Sequence, residues 1–132
     1  MCVKSVLVVD DSALIRRLLR AALTESGWIV CDEAENGREG IVKAQDLRPD
    51  VIILDLVMPE MNGLETARVI KRIMPTTPLI MFTTHCVPGL EQEANAAGIR
   101  KVVSKEDGPP PSAINRTASA TQPVLCFDSD ET

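Results

Sequence analysis

Four apolar runs in this chain end in polar residues whose types suit ionic chemistry. Asp10 and Asp11 come directly after Val6 to Val9, and Asp55 lies at the end of the third run, Val51 to Leu56. Thr83 and Thr84 follow Leu79 to Phe82, and Lys105 follows the weaker pair Val102 and Val103. Taken singly, each has an ordinary reading. The aspartate pair can cap a helix, Asp55 can begin a turn, and Lys105 can be a solvated surface lysine. Brought together they act differently. Carboxylates within a few ångströms of one another repel, and one must hold a proton unless cations offset them. A cluster of acids facing an ammonium group therefore belongs to the chemistry of cation binding and ionised oxygen.

What would bring them together is the pattern of elements between them. Short unbroken runs of branched residues suit strands buried on both faces, as in a parallel sheet covered by helices. Ile29 to Glu33 adds a further strand, making five. Between the strands lie helical patterns. Leu14, Leu18 and Ala22, with Ile15, Leu19 and Leu23, repeat every four residues after Ser12, a suitable N-cap, and Gly27 ends the pattern. A second helix is expected from about Gly37 to Gln45, capped by Asn36. A third carries Leu64, Ala67, Ile70, Ile73 and Met74 up to Pro75, and a fourth carries Leu90, Ala94 and Ala97 up to Gly98. Strands alternating with helices imply right-handed crossovers and an α/β sheet with helices on both faces. Ligands of such sheets bind outside the carboxyl ends of the strands, which is where these polar residues fall.

Composition narrows the function. The 132 residues fit one domain, and 45% hydrophobic against 25% charged residues is ordinary globular usage. One Trp, two Phe and no Tyr leave no aromatic platform for bases, and a net charge of −5 repels phosphate backbones, so nucleic acid is not an expected partner. Cys2, Cys31, Cys86 and Cys126 form no CxxC pair and one His is present, so neither a zinc site nor a disulfide framework is expected. The apolar run near the N-terminus is too short for a signal-peptide core or a membrane span, and a reducing cytoplasm is the expected location. After Asp107 the composition shifts to Gly-Pro-Pro-Pro and then to Ser, Thr, Ala and Asn. The compact domain is accordingly placed at 1–107 and a flexible tail at 108–132.

The segments VLVVDDS at 6–12, ILDLVMPEMNG at 53–63, FTTH at 82–85 and VVSK at 102–105 resemble, in order and spacing, the receiver domain of two-component response regulators. The resemblance covers roughly residues 4–105, and the stretch from Asp55 to Gly63 is its most specific part. It implies a flavodoxin-like, doubly wound parallel sheet in the order 2-1-3-4-5. It also implies that Asp55 is the phosphoacceptor, Thr83 the switch hydroxyl and Lys105 the phosphate-pairing lysine. Mg²⁺ would be the cofactor, with Asp11, Asp55 and the backbone carbonyl of Val57 as direct ligands and Asp10 acting through water. Mg²⁺ and Lys105 together offset three ionised aspartates, which leaves Asp55 nucleophilic at neutral pH. The implied partners are a histidine kinase or phosphotransfer protein as donor and a downstream protein that reads the modified surface. Such a switch modifies itself and turns over no separate substrate.

The chain also departs from the family pattern. Val102 stands where a Tyr or Phe is common, Glu106 where a Pro commonly follows the lysine, and Thr84 where a small residue is usual. Val57 and His85 occupy variable positions that influence how water reaches an acyl phosphate. Pro109 to Pro111 cannot lie inside a helix, so the family's fifth helix is expected to be missing or degenerate, leaving a sheet face open to the tail or to a second copy. Val102, Glu106 and the missing helix favour a runner-up, a pseudo-receiver that binds partners without phosphorylation, while the intact Asp10, Asp11, Asp55, Thr83 and Lys105 favour the switch more strongly. A third reading, an aspartyl-nucleophile phosphohydrolase, needs an additional acid/base and a cap that the sequence does not offer.

Overall fold

The alternation of apolar runs and helical patterns resolves into a sheet whose two faces are sealed separately. A computed structural model describes residues 4–107. The elements run β1 (Ser5–Val9), α1 (Ala13–Glu25), β2 (Ile29–Ala34), α2 (Gly37–Leu47) and β3 (Val51–Leu54). They continue as α3 (Gly63–Ile73), β4 (Leu79–Thr83), α4 (Leu90–Ala96), β5 (Lys101–Ser104) and a 3₁₀ turn (Lys105–Asp107). The five strands pair in parallel in the order β2-β1-β3-β4-β5. The order expected from the sequence is the one observed. The expectations for residues 108–132, including the flexible tail, the missing fifth helix and the face it would leave open, lie outside the described residues.

Because successive strand residues point to opposite faces, each apolar run feeds two cores. Leu7, Val9, Ile52, Leu54, Leu79, Met81 and Val102 pack beneath Ala44 of α2, Ala67 and Ile70 of α3, and Leu90 and Ala94 of α4. Val6, Val8, Val51, Ile53, Ile80 and Phe82 form the other core with Leu19 and Leu23 of α1. Val102, where the family commonly has an aromatic ring, is thus a fully buried core residue.

The helix starts follow capping chemistry. Ser12 Oγ accepts the Ile15 N–H, and Asn36 Oδ1 accepts the Glu39 N–H. Asn62 and Glu65 form a reciprocal box in which each side chain accepts the other's backbone N–H. On α1 only one of the two four-residue ladders faces the sheet: Leu19 and Leu23 are buried, whereas Leu14 is 59% and Leu18 49% exposed. The cysteines depart from expectation. Cys86 is disulfide-bonded, and Cys31 is a free thiol.

Candidate functional site

Parallel strands end on the same edge, so the residues just past β1, β3 and β5 become neighbours. Asp10 follows β1, Asp55 follows β3 and Lys105 follows β5. The Asp55 N–H donates to the Val9 carbonyl at 3.0 Å, which carries the β1–β3 ladder one step beyond the strands. Lys105 reaches across from the 3₁₀ turn, its Nζ 3.0 Å from Asp10 Oδ2 and 3.1 Å from Asp55 Oδ2. Asp10, Asp11 and Asp55 offer carboxylate oxygens that all lie within 4.8 Å of one another. Asp10 and Asp55 are buried, and Asp11 is exposed at the mouth.

Each buried carboxylate is oriented by local backbone. Asp10 Oδ1 accepts the Ser12 N–H at 2.9 Å, and Asp55 Oδ1 accepts the Leu56 N–H at 2.7 Å. The second oxygen of each then faces Lys105. Behind Asp55 the loop to α3 turns sharply, with Glu60 in the left-handed region at φ 67° and the Gly63 N–H donating to the Leu56 carbonyl at 2.7 Å. Lys105 is held by a tight turn in which the Glu106 N–H donates to Ser104 Oγ at 3.1 Å. A proline at 106 would lack that donor, so the departure from the family pattern brings its own way of closing the turn.

The electrostatics follow from burial set against pairing. Burial pushes the Asp10 carboxyl above its ordinary range, and Asp55 adds repulsion, against the opposing Ser12 N–H and Lys105. Burial by itself would lower the Lys105 ammonium, but the hydrogen bonds and charges of Asp10 and Asp55 outweigh it and hold the group above its usual value. One ammonium facing three carboxylates leaves an excess of negative charge. The donor set is entirely oxygen, with no His or Cys in the cluster. Mg²⁺ takes oxygens at about 2.0–2.1 Å, which sets ligand oxygens roughly 3–4 Å apart. Three carboxylates already within 4.8 Å fit that ion with small side-chain adjustment.

The other residues singled out from the sequence lie around this pocket. Thr83 is the last residue of β4 and fully buried, and its Oγ1 accepts the His85 N–H at 3.0 Å. Thr84 is exposed, its hydroxyl 3.3 Å from His85 Nδ1. Val57, two residues beyond Asp55, has a side chain 49% exposed. Sequence reasoning misses Arg16 and Glu33. Arg16 Nη1 donates to the Asp10 carbonyl at 2.7 Å and its Nε to Glu33 Oε1 at 3.0 Å, while Arg20 Nε donates to Glu33 Oε2 at 2.6 Å. The i, i+4 spacing of Arg16 and Arg20 is visible in the chain, but the acid joining them is not.

That acid carries a pH-dependent share of stability. Burial raises the Glu33 carboxyl, but hydrogen bonds and charges from Arg20 and Arg16 outweigh it, and the net shift is downward. A carboxylate lowered on folding stabilises the protein above its unfolded pKa, about 4.3, and loses that contribution as pH falls through its folded value. Glu33→Gln is therefore expected to flatten the decline of the urea midpoint below about pH 4.5. An acid limb unchanged from wild type would show that the pairing contributes nothing measurable.

Comparisons with known proteins converge on one family. The family described as Response regulator receiver domain matches residues 6–110. The chemotaxis protein CheY of Thermotoga maritima is 37% identical over 102 residues, covering 77% of this chain and 85% of that protein. A protein-glutamate methylesterase/protein-glutamine glutaminase of Archaeoglobus fulgidus is 46% identical over 105 residues, 78% of this chain but 30% of that protein. The chain thus spans under a third of the length of that methylesterase relative. Among solved structures, chemotaxis protein CheY4 of Vibrio cholerae superposes with a TM-score of 0.82 at 35% identity, covering 88% of this chain and 99% of that one.

Proposed function

This chain belongs to the response regulator receiver domain family, and from that membership we infer that it is a signalling switch that accepts a phosphoryl group on Asp55. The observation that carries the reading is the convergence of three carboxylates on one ammonium group at the carboxyl edge of the sheet. We take the donor to be a histidine kinase or phosphotransfer protein, and the reader to be a downstream protein. Exposed Leu14 and Leu18 on α1 offer apolar contact to such a partner, or to a second copy of the chain. No described helix is long and apolar enough to cross a membrane, and we place the switch in the cytoplasm.

In this reading a carboxylate oxygen of Asp55 attacks the phosphorus of a phosphohistidine in line. The new O–P bond forms as the P–N bond breaks, and the electron pair leaves with the imidazole of the donor. Little covalent work falls to the protein, so positioning and charge dominate. The Leu56 N–H fixes one Asp55 oxygen and Lys105 faces the other. Mg²⁺ held by Asp10, Asp11, Asp55 and the Val57 carbonyl would supply two positive charges against these acids and against the transferring phosphoryl oxygens. In this reading Lys105 pairs with the phosphoryl group once Asp55 has become an acyl phosphate. The Thr83 oxygen already accepts the His85 N–H, which leaves its hydroxyl proton to donate to a phosphoryl oxygen. Movement of Thr83 toward that oxygen would shift the β4–α4 loop and the surface it presents.

Incubation with acetyl phosphate, with and without Mg²⁺, tests the reading by intact mass and phosphate release. The switch gains one phosphoryl group per chain only when Mg²⁺ is present. A phosphorylation-independent interaction module stays unmodified, and a phosphohydrolase releases phosphate over many turnovers. Either of those results would replace the proposal. We assign this chain no substrate turnover, and the esterase activity in the name of the longer relatives is not carried over to it.

A further inference from the structure

We infer that Arg16 is a positioning residue for the acidic pocket, an inference that rests on the proposed Mg²⁺-dependent switch. Its guanidinium, on the first turn of α1, is 14% exposed and bridges two acceptors. Nη1 meets the backbone carbonyl of Asp10 at 2.7 Å, and Nε meets Glu33 Oε1 at 3.0 Å. That carbonyl belongs to the peptide joining Asp10 to Asp11, so one side chain holds the peptide plane from which two of the three carboxylates project. The peptide before it is already fixed by the Asp10 N–H on the Ala34 carbonyl at 3.0 Å. The peptide after Asp11 donates its Ser12 N–H to Asp10 Oδ1 at 2.9 Å, so Arg16 supplies the hold on the carbonyl of the peptide between the two aspartates.

Glu33 keeps the guanidinium in register. Its second oxygen takes Arg20 Nε at 2.6 Å, and its backbone carbonyl takes Lys43 Nζ from α2 at 2.6 Å. The acid that holds Arg16 is therefore tied to both flanking helices. A planar fork can serve a carbonyl and a carboxylate at once, which a lysine ammonium at the same position cannot do with the same geometry. Groups that orient the ligands of a metal, without touching the metal, typically change its affinity by about 10–100-fold when removed.

The inference has a readout whose sign separates it from a plain charge effect. A positive group beside a divalent-cation site repels the cation, so losing the charge alone tightens binding. Losing the hold on the Asp10–Asp11 peptide weakens it. Mg²⁺ binding is measured by titration calorimetry on the full chain, well below the thermal midpoint of each variant, for wild type, Arg16→Ala, Arg16→Lys and Arg20→Ala. Positioning predicts that both Arg16 variants bind Mg²⁺ about tenfold more weakly, while Arg20→Ala, which leaves the Asp10 carbonyl contact intact, stays within about twofold. Equal or tighter binding by Arg16→Ala overturns the inference, as does equal weakening by Arg20→Ala. Should Arg16→Ala fail to fold, Arg16→Lys decides by the same criterion, since wild-type affinity there means that the forked hold on the peptide is not needed. Acetyl phosphate labelling of the wild type is the separate check on the switch itself. A chain that binds Mg²⁺ but is never labelled sinks the switch and leaves the affinity comparison valid, and one that binds no Mg²⁺ sinks both.

Discussion

Asp55→Asn is expected to take acetyl phosphate labelling from one phosphoryl group per chain to none, with the fold retained. Asparagine has nearly the same shape, and its carbonyl oxygen can still accept the Leu56 N–H that Asp55 Oδ1 accepts at 2.7 Å. What it lacks is the ionised oxygen that attacks phosphorus. Stability should hold because the lysine keeps a partner: Lys105 remains 3.0 Å from Asp10. Asp55 repels Asp10 and raises its carboxyl pKa, so the amide also removes a like charge from a buried pair. Intact mass spectrometry reads the label, and the urea midpoint reads the fold. Undiminished labelling would move the phosphoacceptor elsewhere, and a collapsed urea midpoint would mean that Asp55 is chiefly a structural partner of Lys105.

The residues of this pocket can be named from the sequence because the fold that gathers them is written locally. Runs such as Val6 to Val9 and Leu79 to Phe82 are short, branched and unbroken, and a polar residue at the end of a parallel strand can only lie on the ligand-binding edge. The third run extends in sequence to Leu56, whereas β3 stops at Leu54. The Asp55 N–H makes the last bond of the ladder, to the Val9 carbonyl, and Leu56 turns its carbonyl toward Gly63. Periodicity alone does not choose between the two ladders of α1. Leu14 and Leu18 repeat at the same spacing as Leu19 and Leu23, and only docking on the sheet decides which pair is buried. The Asn62 and Glu65 box leaves a local signal that sequence reasoning missed, a three-residue spacing astride Gly63. The Arg16 to Glu33 contact leaves none, because those residues meet only after β2 is laid beside β1. Contacts fixed by register across separate elements make no mark on a single stretch of sequence.

Gly63→Ala is expected to lower both stability and labelling, although by propensity it should help. Gly63 opens α3 and is absent from the glycines with positive φ, so alanine faces no dihedral obstacle there. In a helix, alanine is favoured over glycine by up to about 1 kcal/mol. Space works the other way. A Cβ at this position would run into the backbone carbonyl oxygen of Asp55, with the Asp55 carbonyl carbon and Leu56 Cα each at 3.0 Å. These are backbone atoms, and they cannot step aside as the end of a flexible side chain can. Relief requires the β3–α3 loop to move, and Asp55 moves with it. The net cost is expected at about 1–3 kcal/mol, the range for overpacking, with a slower initial rate of acetyl phosphate labelling. Gly27→Ala separates the two effects. Gly27 has φ +93° and nothing within 4 Å of the point a Cβ would occupy, so alanine there incurs only the left-handed backbone strain, about 1–2 kcal/mol. Both variants should lower the urea midpoint, and only Gly63→Ala should slow labelling. Equal labelling rates in the two would mean that the approach of α3 to Asp55 supports the fold without setting the position of the reacting carboxylate.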